Sequence, residues 1–200
     1  MKGSLIIVLF FILGILTGYF DLDPTWLTEG NWSFYALCAL MFCVGIDVGN
    51  DQAVLNSFKN INPRLALLPL ATITGTLAGT FVISFFLTER TISECLAIGS
   101  GFGYYSLSSI FITEYKGAEL GTIALLANIS REIIALLGAP LFVKWFGNLA
   151  PISAGGATTM DTTLPIITRY AGKQFVVLSI FHGVVVDFSV PFLVTLFCMI

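Results

Sequence analysis

Four charged side chains stand out inside the apolar stretches of this chain, and they are its first candidates for a chemical role. They are Arg131, Glu132, Asp161 and Asp187. A charge in the middle of a membrane-spanning helix costs about 2.5–3.5 kcal/mol on insertion scales, so each needs a partner or a function. Carboxylates in such surroundings commonly bind cations or relay protons. The pattern therefore indicates a cation or proton site.

The apolar run at 120–146 carries a polar stripe about halfway along. Asn128 and Glu132 are four residues apart and share one helix face, and Arg131 flanks that face. Such a stripe faces the protein interior or a water-filled cavity. Two interpretations follow: a structural ion pair that joins two helices, or a cation and proton site.

A second polar stretch, GGATTMDTTLP at 155–165, lies between apolar flanks. Gly155 and Gly156 destabilise a helix, and Pro165 cannot continue its hydrogen-bond ladder. Freed backbone of this kind is tolerated at membrane depth only when it is buried in protein or lines a cavity. In secondary transporters, discontinuous helices form the substrate site, so this segment is a candidate site; the alternative is a kinked helix capped by its acid. Its polar residues are Thr158, Thr159, Asp161, Thr162 and Thr163.

Two further segments offer polar side chains. GSGFGYYSLSS at 99–109 is too rich in glycine for a regular helix, and we expect it to line the same cavity through Tyr105 and Ser106. In the last run, His182 and Asp187 point about 140° apart on a regular helix, so they form no obvious dyad. His182 is either a hydrogen-bonded core residue or, with Asp187, part of a proton relay.

The elements that must position these groups follow from the composition. Hydrophobic residues make up 56% of the 200 residues and charged residues 10%, with a mean hydropathy of +0.93. Soluble domains average about 25% charged residues, so the chain is predicted to be an all-α integral membrane protein forming one transmembrane domain over 1–200. Seven apolar runs predict about seven spans, one or two of them discontinuous; they cover 5–20, 32–49, 65–87, 92–113, 120–146, 152–167 and 175–200.

Charge and cysteine content limit the partners. If all seven runs cross, six Lys and Arg residues fall on the side of the N-terminus and two on the other, which predicts a cytoplasmic N-terminus and an exoplasmic C-terminus. No basic cluster suggests nucleic-acid binding, and the four cysteines are interpreted as small buried hydrophobes. We expect no cofactor and no metal site.

Several of these motifs together resemble the lysine exporter family, LysO type. The resemblance covers essentially the whole chain and is strongest over 97–191, in GSGFGYYSLSSIFITEYKGAELG, NISREIIALLGAPL, GGATTMDTTLPIITRYAG and the later His182-Gly183. It implies a secondary transporter of the bacterial inner membrane that exports L-lysine and its analogue thialysine, in exchange for protons. It also implies a functional role for Glu132 and Asp161, and an architecture akin to the repeats of cation/proton antiporters.

One departure concerns length. Full-length members of the family have an additional N-terminal region with further spans, so this chain resembles their C-terminal two-thirds. MFCVGIDVG at 41–49 would match the second copy of a motif that those members carry twice. A small membrane subunit or a homodimer would then supply the remaining spans.

Three alternatives remain open from the residues. A sodium/proton or other cation antiporter could use the same two acids. An intramembrane aspartyl enzyme would need Asp161 and Asp187 to meet at a water pocket. A scaffolding membrane subunit is disfavoured because it would need neither two irregular segments nor a charged stripe. We expect no enzymatic activity.

Overall fold

The computed structural model describes residues 64–87 and 89–200, together with positions 13, 16, 17, 19, 20, 35, 42, 46 and 50. Most of the first two predicted spans, and most of the motif at 41–49, lie outside the described residues. In the unit Met1–Ala39, the described positions 13, 16, 17, 19 and 35 are helical, and Phe20 lies in a turn. All helices that follow belong to the unit Leu40–Ile200.

The described part of this unit consists of helices and connecting turns, without a strand. In residues 64–87 and 89–200, seven α-helices follow one another: α1 Leu68–Ser84, α2 Ile92–Gly99, α3 Tyr105–Lys116, α4 Ala118–Phe146, α5 Ala150–Gly155, α6 Leu164–Tyr170 and α7 Val176–Met199. Short 3₁₀ helices cover Leu65–Leu67, Gly156–Met160 and Lys173–Phe175. The predicted all-helical class is thus confirmed for these residues.

Three segments among the described residues are long and apolar enough to cross a membrane. They are Leu65–Ser84, Ala118–Phe146 and Lys173–Met199, and they coincide with three of the predicted runs. The other two described runs are interrupted: the run at 92–113 divides into α2 and α3, and the run at 152–167 divides into α5, a 3₁₀ turn and α6. Both irregular segments predicted from the sequence are therefore real interruptions, whereas seven spans and antiporter-like repeats stay predictions.

The first break separates α2 from α3. A capping box starts α2, since the Glu94 amide donates to Thr91 Oγ1 at 3.2 Å and the Thr91 amide to Glu94 Oε2 at 2.8 Å. The hydrogen bond from the Thr91 amide lowers the pKa of the Glu94 carboxyl. The helix ends at Gly99, and Phe102 and Gly103 take positive φ values of 47° and 92°, which turn the chain before α3 begins.

The second break separates α5 from α6. Gly156 has a φ of 64°, so the chain leaves α5 and tightens into the 3₁₀ turn Gly156–Met160. Pro165 lies in the first turn of α6, where its missing amide leaves no hydrogen bond unmade. The proline therefore starts a helix on the far side of the break, while the glycine makes the break itself.

Helix α7 packs against this 3₁₀ turn through a missing side chain. A Cβ at Gly183 would lie 2.7 Å from the Met160 amide nitrogen, so only glycine allows the approach. Beyond that contact, Val186, Val190 and Val194 are buried on the inner face of α7. Gly183 therefore sets how closely the 3₁₀ turn packs against α7.

Candidate functional site

The two breaks touch each other backbone to backbone, and we call this contact the crossing. The Ala157 amide, in the 3₁₀ turn, donates to the Phe102 carbonyl at 3.0 Å. A Cβ at Gly156 would collide with the same carbonyl, and a Cβ at Gly103 would lie 3.2 Å from Gly155 O. The glycines predicted to break helices therefore also let two broken segments meet.

Arg131 of α4 binds one side of the crossing. Its Nε donates to Ala154 O at 3.0 Å and its Nη2 to Ser153 O at 3.1 Å, while Nη1 reaches Thr76 Oγ1 at 3.3 Å. The two carbonyls belong to the C-terminal end of α5, where unpaired carbonyls and the helix dipole favour a cation. Arg131 thus stabilises the end of a broken helix.

Asn128, one turn before Arg131, does the same for the first break. Its buried Oδ1 accepts the Gly103 amide at 2.8 Å, and its Nδ2 donates to Ala124 O at 2.9 Å and Ile98 O at 3.3 Å. Residues 98 and 103 flank the end of α2. The polar stripe of α4 therefore satisfies backbone groups that both breaks set free.

Glu132, the third member of the stripe, is partly exposed. Arg131 does not form the ion pair considered above: in 64–87 and 89–200 the ion pair found joins Arg90 and Glu119 at the surface. Glu132 therefore keeps an uncommitted carboxylate within this part of the chain. Its role in binding cation or proton stays a prediction.

A buried string of hydroxyls and one imidazole connects the 3₁₀ turn to its neighbours. His182 of α7 is fully buried, with Nε2 2.9 Å from Thr72 Oγ1 and Nδ1 3.1 Å from Thr159 Oγ1. Thr159 Oγ1 also lies 2.9 Å from Ser179 O. Both ring nitrogens of His182 thus have partners, which is the arrangement of the hydrogen-bonded core residue, and its relay role stays untested.

The other predicted hydroxyls divide by location. Thr158 is buried and donates to Gly155 O at 2.9 Å. Thr162 is exposed, and its amide donates to Asp161 Oδ1. Tyr105 and Ser106 are exposed on α3, whereas the neighbouring Tyr104 faces the crossing.

A small space beside the crossing brings two acids together, and we call it the acidic cavity. Its volume is about 70 Å³, and Asp161 and Asp187 both line it. Asp161 is exposed, while Asp187 is only 7% exposed. The remaining lining residues are Tyr104, Ala157, Thr158 and Met160. Two acids 26 positions apart in the sequence thus share one cavity, and Glu132 is not among its lining residues.

A larger and mostly apolar cavity of about 480 Å³ lies between α1, α2 and α4. Its polar lining comes from Thr76, Thr80, Asn128 and Arg131. Because Asn128 and Arg131 already bind backbone carbonyls, this side of the crossing presents few uncommitted polar atoms. The two cavities therefore differ in both size and chemistry.

The sequence interpretation missed Tyr104 and Thr72. It selected Tyr105 from two adjacent tyrosines, and a glycine-rich stretch has no periodicity that could decide between them. Thr72 lies in an apolar run 110 residues before His182, and nothing in the sequence links the two.

Comparison with known proteins decides the family. The family model of the lysine exporter LysO matches residues 8–198. This chain belongs to the lysine exporter LysO family. It is 36% identical over 187 residues to a putative lysine exporter of Haemophilus influenzae, covering 93% of both chains. It is also 34% identical over 165 residues to the lysine exporter LysO of Escherichia coli, covering 82% of this chain and 54% of that protein. No solved structure matches the chain.

Membership of the LysO family confirms the resemblance carried by the motifs. The chain is a helical, multi-pass membrane protein of an amino-acid transport family, which agrees with the expectation that it is not an enzyme. It spans about half of the Escherichia coli relative and nearly all of the Haemophilus one. The expectation that this chain matches only part of a longer family member therefore holds for the Escherichia coli relative and not for the Haemophilus one.

Proposed function

We propose that this chain exports L-lysine, and its analogue thialysine, across the bacterial inner membrane in exchange for protons. The observation that carries the proposal is the crossing of two helix breaks beside Asp161 and Asp187, in a member of a lysine exporter family. Broken helices that meet near the middle of a membrane protein are where secondary transporters bind substrate and coupling ion.

The transport cycle is alternating access around the crossing. Glu132 and Asp161 bind either the ammonium groups of lysine or protons, in competition. A proton taken up from outside neutralises an acid and releases lysine outward. Asp161 is suited to this exchange because it is exposed and adjoins the freed backbone of the second break. The Thr162 side chain, exposed beside it, is placed to hold a polar end of the substrate.

Export of radiolabelled lysine from loaded cells under an imposed proton gradient tests the proposal. The variants are Glu132→Gln and Asp161→Asn, each of which removes a charge at nearly constant volume. Glu114→Gln, which changes an exposed acid on α3 outside both cavities, is the matched control. We expect efflux to fall at least tenfold in both variants and to persist in the control. Absence of gradient-driven efflux from well-folded wild-type protein, with and without the small membrane subunit proposed below, would exclude lysine as the substrate.

A cation antiporter is the second candidate, because a cavity of about 70 Å³ with two carboxylates also suits an inorganic cation. To decide which of the two is the substrate, transport and thermal stability of the same preparation are measured with sodium and with lysine. Stabilisation and counter-transport by sodium, with no response to lysine, would favour cation antiport.

We further propose that the chain works with additional spans, supplied by a second copy or by a small membrane subunit. The partial coverage of the Escherichia coli relative supports this. Cross-linking in native membranes, followed by mass spectrometry, distinguishes the two partners. A monomer that transports lysine alone in proteoliposomes would contradict both. The cytoplasmic N-terminus and exoplasmic C-terminus are part of the same proposal, and terminal reporter fusions test them.

A further inference from the structure

Asp187 stands out among the buried polar groups of the described chain. In 64–87 and 89–200, its Oδ1 is the buried side-chain oxygen or nitrogen that has no hydrogen-bond partner. The residue is only 7% exposed. A buried carboxylate without a partner is unfavourable, so such a group either holds a proton or faces a cation.

The uncommitted oxygen belongs to a residue that lines the acidic cavity, and a second carboxylate lines it as well. Asp161 approaches from the segment after the 3₁₀ turn, and Tyr104 from the break before α3. These are the titratable groups that share the cavity with Asp187, and among residues 64–87 and 89–200 no Lys, Arg or His side chain lines it. Arg131, on the opposite side of the crossing, is bound to the carbonyls of Ser153 and Ala154.

Two neighbouring carboxylates do not both ionise without compensation, because like charges disfavour the ionised form. One proton or one monovalent cation relieves the repulsion. The volume of about 70 Å³ is enough for a small cation. About 10–15 Å³ of such space holds one water molecule, so the cavity has room for an ammonium group or an alkali ion.

We propose that Asp187 and Asp161 form a site for one monovalent, ammonium-sized cationic group, and that Asp187 holds a proton when that group is absent. The site deepens the function proposed above and rests on it: the cationic group is a primary ammonium of lysine, and the rest of the substrate lies on the exposed side, at Asp161. Binding of the cation displaces the proton from Asp187, which leaves towards the solvent. One cation is thereby exchanged for one proton.

The test measures ligand binding and proton release by isothermal titration calorimetry of the full chain in detergent. Lysine, ammonium chloride, sodium chloride and choline chloride are titrated in two buffers of different ionisation enthalpy. The variants are Asp187→Asn and Asp161→Asn, with Glu114→Gln as control. For wild type and control we expect about one proton released per lysine bound. For Asp187→Asn we expect at least tenfold weaker lysine binding and no proton release.

Separate outcomes distinguish this inference from the proposed function. If Asp187→Asn binds lysine with wild-type affinity and proton release, the inference is overturned and lysine export stands. If sodium or ammonium binds and releases the proton but lysine does not, the cation site stands and lysine export fails. If Asp187→Asn does not fold, Asp161→Asn decides, since its side chain is exposed: unchanged lysine affinity in that variant overturns the site. Binding of the bulky choline cation with equal affinity would also overturn it.

Discussion

The two sides of the crossing contrast in how far their polar groups are satisfied. On one side, Arg131 and Asn128 bind the carbonyls and amide that the two breaks release. On the other side, Asp187 has an oxygen without a partner, and Asp161 is exposed beside it. Saturated groups stabilise the fold, whereas unsatisfied groups remain able to bind a ligand. Under the proposal made above, the first side stabilises the fold and the second side exchanges cation and proton.

The largest loss of stability is expected when a side chain is placed inside the crossing itself. In Gly156→Ala the new Cβ meets the Phe102 carbonyl, and the residue also has a positive φ. Gly147→Ala is the matched control, because Gly147 has a positive φ but no atom within 4 Å of its missing Cβ. Backbone strain alone costs about 1–3 kcal/mol, and the clash adds to it only at Gly156. Thermal unfolding in detergent should show a clearly larger loss for Gly156→Ala; equal losses would disprove a tight crossing.

Removing the cation from the structural side should have the next largest effect. Arg131→Met leaves the carbonyls of Ser153 and Ala154 without their donor, and hydrogen bonds to charged groups contribute about 1.5–3 kcal/mol each. Arg131→Lys keeps the charge but loses the fork, so its melting temperature should fall between those of wild type and Arg131→Met. The lysine KM of folded Arg131→Lys should stay within about twofold of wild type. A large rise in KM with normal stability would place Arg131 in the binding site instead.

A smaller loss is expected at the first break. Asn128→Leu leaves the buried Gly103 amide unpartnered, which costs about 1–3 kcal/mol. Asn128→Asp keeps an acceptor for that amide and should recover part of the loss. Chemical denaturation compares the three proteins. If Asn128→Leu were as stable as wild type, the hydrogen bond to Gly103 would not hold the break.

The smallest effect is expected at the opposite, exposed end of α2. Thr91→Ala removes the capping box and should cost about 1 kcal/mol. Because the folded-state pKa of Glu94 is lowered, its stabilisation is present above the unfolded pKa of about 4.5 and is lost as the pH falls through the folded value. Unfolding of Glu94→Gln and wild type should therefore differ at pH 7 and converge at lower pH. A constant difference across pH would contradict the role of the charge.

The sequence predicted the breaks better than it predicted their contact. Gly156 and the glycine-rich stretch at 99–103 carry a local signal, because glycine disfavours helix wherever it occurs. The crossing depends on a hydrogen bond between Ala157 and Phe102, which are far apart in sequence. Nothing about an alanine at 157 or a phenylalanine at 102 indicates the other as its partner, so only the three-dimensional structure shows the contact.

The candidate site shows the same limit. Asp161 and Asp187 were each identified because a charge in an apolar run is conspicuous, and the helical wheel correctly separated His182 from Asp187. Their shared cavity follows from the 3₁₀ turn packing on α7, which depends on the absent side chain of Gly183. The stripe with Arg131 and Asn128 was predicted to be either a structural ion pair or a cation and proton site. The backbone partners of these two residues could not be inferred, since any freed carbonyl in the fold could have been the acceptor.

Gradient-driven lysine efflux from proteoliposomes, normalised to folded protein, tests the contrast most directly when Asp161→Asn is compared with Arg131→Lys. We expect Asp161→Asn to melt near the wild-type temperature and to export at least tenfold more slowly. We expect Arg131→Lys to melt lower, while its folded fraction exports at nearly the wild-type rate. Normal export by Asp161→Asn, together with a stable but inactive Arg131→Lys, would contradict the assignment of the two sides.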